Sequence, residues 1–75
     1  MKKWERITFD AQVMGGKPCI RGMRVTVGTI VALIGAGRSI EEVLSAYPYL
    51  EREDVLAALT YAAWRAEEKD LPLAS

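Results

Sequence analysis

Along residues 1–25 the apolar positions recur at no helical spacing. Arg6-Ile7-Thr8-Phe9-Asp10 alternates polar and apolar. That puts Ile7 and Phe9 on one face and predicts a short strand. Gly15-Gly16-Lys17-Pro18 is turn chemistry, with Gly supplying unusual φ and Pro stiffening the exit. Met23-Arg24-Val25 predicts a second short extended piece. The period then switches. Val27, Ile30, Val31 and Ile34 form one stripe of a helix near 27–36, closed by Gly35 and Gly37 as C-cap residues. Gly28 in its first turn costs about 1 kcal/mol relative to Ala, which implies close packing there.

Ser39-Ile40-Glu41-Glu42 has the spacing of a capping box. The stripe Ile40, Val43, Leu44, Tyr47 follows over 40–47, and Pro48 stops it. Glu51-Arg52-Glu53-Asp54 then places acidic groups at a helix N-terminus, where the macrodipole favours them. Val55, Leu56, Leu59, Ala62, Ala63 and Ala66 give the stripe of a third helix over 52–68. The expected fold is mostly α: one domain over 1–75, with a β arm and basic Gly/Pro-rich loop (1–25), a three-helix body (26–70) and an apolar tail (71–75). Such a body suits a helix-turn-helix as well as any small three-helix bundle.

Composition narrows the chemistry. There is no His and one Cys, so His-based catalysis, the usual His/Cys zinc sites and an internal disulfide are all excluded. Cys19 without a His base reads as a packing residue. Gly15-Gly16-Lys17-Pro18 has Pro where a phosphate-binding loop needs a Ser or Thr, so no nucleotide and no other cofactor is expected. Met1-Lys2-Lys3 starts like a leader, but Trp4-Glu5-Arg6 breaks it, and no apolar run is long enough for a membrane. A cytoplasmic, non-enzymatic protein is expected. A chain this short buries only about 60% of its extended surface, and the strand Arg6–Asp10 leaves an edge unpaired. Both argue for a homodimer. Trp64 is expected in a core or in the dimer seam.

Charge is unevenly placed. Lys2 to Arg24 carries six basic residues against two acidic, a net +4; from Ser39 onward eight acidic residues face three basic, a net −5. With an overall charge of zero and a pI near 6.2, this is not the footprint of a self-sufficient nucleic-acid binder. In a helix-turn-helix the start of the third helix would enter the major groove, and Glu51, Glu53 and Asp54 there repel phosphates. Double-stranded DNA would have to be held by the arm, through Lys2, Lys3, Arg6, Lys17, Arg21 and Arg24.

Several stretches carry a resemblance. Arg6-Ile7-Thr8-Phe9-Asp10, Gly15-Gly16-Lys17-Pro18-Cys19-Ile20-Arg21-Gly22, Arg24-Val25, Tyr47-Pro48-Tyr49-Leu50 and Asp54-Val55-Leu56-Ala57-Ala58-Leu59 resemble family 433 of the domains of unknown function. Met23, where Thr is usual, and Glu51, where a Ser or Thr N-cap is usual, depart from it. The resemblance implies a trihelical, homeodomain-like body of helix-turn-helix type. It also implies a role as the antitoxin half of a toxin–antitoxin pair, with a PIN-like nuclease as toxin. Such a nuclease holds a metal with clustered carboxylates, which an Arg fork pairs with bidentately. The candidate partner- or DNA-binding residues are therefore Lys17, Arg21, Arg24 and Arg6 of the arm, with Arg65 and Lys69 near the end of the third helix as competitors. A stand-alone DNA-binding repressor and a structural homodimeric adaptor stay open as alternatives.

Overall fold

A computed structural model of the chain describes residues 5–69, with the side chains of 68 and 69 left aside. Strand β1 (Ile7–Thr8) pairs antiparallel with β2 (Cys19–Ile20), Ile7 opposite Ile20 and Thr8 opposite Cys19. Helices α1 (Val27–Gly35), α2 (Ile40–Ala46) and α3 (Arg52–Lys69) follow. The architecture is thus mostly helical, three helices with a two-stranded antiparallel sheet near the N-terminus. The tail 71–75 lies outside the described residues.

The sheet corrects two expectations. The strand at Ile7 is not unpaired: its partner is β2, within the same chain. The second strand is Cys19–Ile20 rather than Met23–Val25. The reason is the turn between them. Arg21 and Gly22 both have positive φ, 45° and 75°, and the Met23 amide donates to the Ile20 carbonyl at 2.7 Å. Two successive positive φ values reverse the chain tightly and bring Val25 back beside Ile20, whose amide donates to the Val25 carbonyl at 3.0 Å. Cys19 bridges Thr26 on the same side. A non-glycine residue in the left-handed region is strained by roughly 1–2 kcal/mol, so something must hold Arg21 there.

The helices begin and end for identifiable reasons. The Thr26 hydroxyl accepts from the Thr29 amide at 3.1 Å and caps α1. At its other end the Gly37 amide donates to the Ile34 carbonyl and the Arg38 amide to the Leu33 carbonyl, with Gly37 at φ 97°. This is a Schellman closure, and it needs Gly37 alone; Gly35 is still helical. The capping box of α2 is complete: Glu42 N donates to Ser39 Oγ at 3.1 Å and Ser39 N to Glu42 Oε1 at 2.8 Å.

One cluster of buried side chains unites sheet and helices: Ile7, Ile20 and Val25 with Val27, Ile30, Val43, Leu50, Val55, Ala58 and Tyr61. The N-terminal segment is therefore a layer of the core. On α3 the buried stripe is rotated from the expected one. Asp54, Val55, Ala58 and Tyr61 face inward, while Leu56, Ala63 and Ala66 are exposed. The reason is that α1 and β1 pack on the face that carries Ala58 and Tyr61, and small Ala58 lets them come close. Trp64 is 37% exposed and is not a core residue.

Candidate partner-binding surface

Asp54 is the third residue of α3 and is fully buried. Its two oxygens take four hydrogen bonds. Oδ1 accepts from Arg6 Nη1 at 2.7 Å and Arg21 Nε at 3.0 Å; Oδ2 accepts from Arg21 Nη2 at 2.7 Å and the Glu51 amide at 2.8 Å. That fills the acceptor sites of a carboxylate. Burial pushes the Asp54 carboxyl up, but hydrogen bonds from Arg21, the Glu51 amide and Arg6 outweigh it and hold it at about 2. Donating to Asp54 first, and then to Glu51, pushes the Arg6 guanidinium up; donating to Asp54 does the same for Arg21. Arg21 Nη2 also reaches the Tyr49 carbonyl at 3.2 Å, and Arg6 Nη1 the Glu51 carboxylate at 2.9 Å. This clamp holds Arg21 in its strained turn. Asp54 also reaches back to the amide of Glu51, which is the return half of a capping box.

Of the sequence candidates, Arg6 and Arg21 are thus committed to the domain's own structure. Lys17, Arg24 and Arg65 are exposed. Arg24 Nη1 lies 4.0 Å from Met14 Sδ, and the Arg65 guanidinium sits 6.0 Å from the Trp64 ring centre. Lys2, Lys3 and Trp4 lie outside the described residues, as does the side chain of Lys69. Asp54 is neutralised internally, so of the three carboxylates expected to repel phosphates only Glu51 and Glu53 are exposed.

Two adjoining open grooves lie along α1. The larger, about 690 Å³, is lined by Phe9, Pro18, Val27, Gly28, Val31, Tyr61 and Ala62, with Arg65 and Ala66. The smaller, about 470 Å³, is lined by Lys17, Pro18, Thr26, Gly28, Thr29 and Ala32. Pro18 and Gly28 belong to both. Among the described residues, one groove has Arg65 as its charged residue and the other Lys17, and neither is lined by a carboxylate. Phe9 is 58% exposed and packs its ring on Tyr61 at 6.0 Å; Tyr61 meets Trp64 at 5.8 Å. Sequence reasoning did not find this surface. Its one signal was the absence of charge from Val25 to Gly37.

Cys19 is buried, and its Sγ donates to the Lys17 carbonyl at 3.3 Å. Labelling by a thiol reagent therefore requires opening of the fold. The rate for the native protein is expected to be at least ~100-fold below that of a model thiol. Cys19→Ser, which buries a hydroxyl, is expected to cost about 1–2 kcal/mol in a denaturant titration. Labelling at the free rate would refute the packing role. Among the described residues no group of three or more His, Cys, Asp or Glu converges to hold a metal ion, and no helix is long and apolar enough to cross a membrane.

Residues 7–62 match the model of a family described as "Protein of unknown function (DUF433)". The chain belongs to the DUF433 family. It is 40% identical over 58 residues to the uncharacterised protein y4eO of Sinorhizobium fredii, an alignment covering 77% of this chain and 26% of that protein. The fold superimposes, with a TM-score of 0.79 and 36% identity, on the crystal structure of a DUF433 member from Anabaena variabilis ATCC 29413. That match covers 88% of this chain and 65% of the other. The chain thus spans about a quarter of the curated relative and under two thirds of the solved one. The matched region of the DUF433 model includes both strands, α1, α2 and α3 through Ala62.

Proposed function

We propose that this DUF433 protein is a non-enzymatic binding module of antitoxin type, acting in the cytoplasm as a homodimer and neutralising a PIN-like nuclease. The observation that carries the reading is the pair of cations, Lys17 and Arg65, set at adjoining apolar grooves that no carboxylate lines among the described residues. An apolar surface with a cationic rim suits a protein partner that presents carboxylates, which is what the metal site of such a nuclease offers. Arg24 is the third exposed candidate. Operator DNA is not part of the proposal, because Arg6 and Arg21 are committed to Glu51 and Asp54 and unavailable to a phosphate backbone, and the start of α3 presents the exposed Glu53.

The test is co-expression with a nuclease of that kind encoded beside this gene. Truncating an Arg buried against a carboxylate costs about 2–5 kcal/mol of affinity. Charge reversal at Lys17, Arg24 and Arg65 together is expected to abolish protection while circular dichroism and melting stay unchanged. Arg21→Ala is unsuitable for this purpose, since it also breaks the Asp54 clamp. Full protection by the triple variant, or the absence of any nuclease that co-purifies, would refute the proposal.

A further inference from the structure

Gly28 is the second residue of α1, with an ordinary helical backbone. A Cβ built on it meets only the Thr26 hydroxyl, at 3.9 Å. The close packing expected from the sequence is therefore not found among the described residues. Glycine disfavours a helix, and at this position no neighbour among the described residues requires it. Yet Gly28 belongs to both grooves, between a lysine on one side and an arginine on the other. Missing side-chain volume at the shared floor leaves room for something outside the chain to approach the backbone of α1.

We propose that these grooves seat an amphipathic helix of a protein partner, its apolar face against Phe9, Pro18, Val31 and Tyr61 and its flanking carboxylates on Lys17 and Arg65. The inference deepens the binding-module reading and rests on it. Charge selects the occupant. Among the described residues, the lining of both grooves includes two cations and no anion. A second copy seated face to face would bring like charges together, whereas an acidic-flanked helix pairs each cation. A helix fits because α1 and α3 together form a two-helix floor, and a third helix packs into such a channel by its side-chain ridges. Gly28 lets that helix approach closely between the two cations.

The experiment uses a synthetic amphipathic helical peptide with a leucine stripe and glutamates on its flanks, and a twin with lysines in place of the glutamates. Titration of the full chain is expected to show the acidic peptide binding at least about tenfold more tightly than its twin. Lys17→Glu with Arg65→Glu should reverse that order. Gly28→Leu should weaken the acidic peptide at least about tenfold while the melting temperature stays level or rises, because it fills the floor and improves helix propensity. Gly28→Ala, the gentler change, should do the same to a smaller extent. Equal affinity for both peptides, no binding of either, or binding untouched by Gly28→Leu would overturn the proposal. So would a dimer by light scattering that Gly28→Leu dissociates, since the occupant would then be a second copy. If the peptides discriminate but no nuclease is neutralised, the antitoxin reading fails and the groove stands. If Gly28→Leu still neutralises the nuclease and the peptides do not discriminate, the groove fails and the antitoxin reading stands.

Discussion

Replacing Asp54 with Ala is expected to destabilise the protein by about 3 kcal/mol, the lower end of what breaking a buried ion pair costs. The lower end applies because the two guanidiniums are each about a third exposed, 32% and 38%, and can turn to water, whereas the carboxylate is fully buried. A domain of this size has roughly 4–10 kcal/mol in total, so the substitution takes a large share. The same group makes stability depend on acid. Its folded pKa, about 2, lies below the ordinary 3.8. Protons therefore bind the unfolded chain first. The stabilisation is fully present above about pH 4 and is lost as pH falls towards 2, by about 2 kcal/mol in all. Urea midpoints measured from pH 7 to pH 2 for the natural chain and for Asp54→Asn should converge in that window, the natural chain starting higher and falling more steeply. Parallel curves, or an Asp54→Ala protein that melts with the natural one, would show that the clamp contributes nothing.

Ile20→Ala is expected to cost about 3 kcal/mol by emptying a site no neighbour can refill. Ile20 is fully buried, and it stands between Ile7 on one side and Val25 on the other. If residues 5–26 were an arm laid over a self-sufficient bundle, this loss would loosen the arm and spare the helices. Because they belong to the same core, the whole molecule should respond: one cooperative transition, shifted to lower denaturant, with amides of α3 exchanging faster as well. A midpoint shift no larger than that of an exposed substitution would show that the first layer is separable.

The helices were legible for local reasons. Ser39 and Glu42 satisfy each other three residues apart, Gly37 closes α1 by its own backbone, and Pro48 bars continuation. Each signal lies within one turn of its effect. What was not legible is non-local. A two-residue strand has no periodicity to detect, so β2 was hidden between turn residues. Asp54 reads as one more acid at a helix start. Its role depends on Arg21 and Arg6, 33 and 48 residues away in sequence. Its one sequence clue is spacing: Asp54, Ala58 and Tyr61 share a face, so an acid stands on the line of the apolar stripe and must find partners there. The opposed charges of the two halves are likewise partly an internal matter. Arg6 and Arg21 meet Glu51 and Asp54 within the fold, which removes four charges from those available to a partner.

The clamp between positions 6 and 54 also sets an order of assembly on the ribosome. Ile7, Ile20 and the strained turn at Arg21 are made before the carboxylate that fixes them, which lies 33 residues beyond Arg21. Until then the sheet has neither its anchor nor the α3 face against which it packs, while α1 and the capped α2 have their local signals already in place. Closing a span of 48 residues requires the late part of the chain to return to the early part. Translation thus leaves Ile7 and Ile20 without their partners in the core, and the third helix, made later, is the one that secures the first strand.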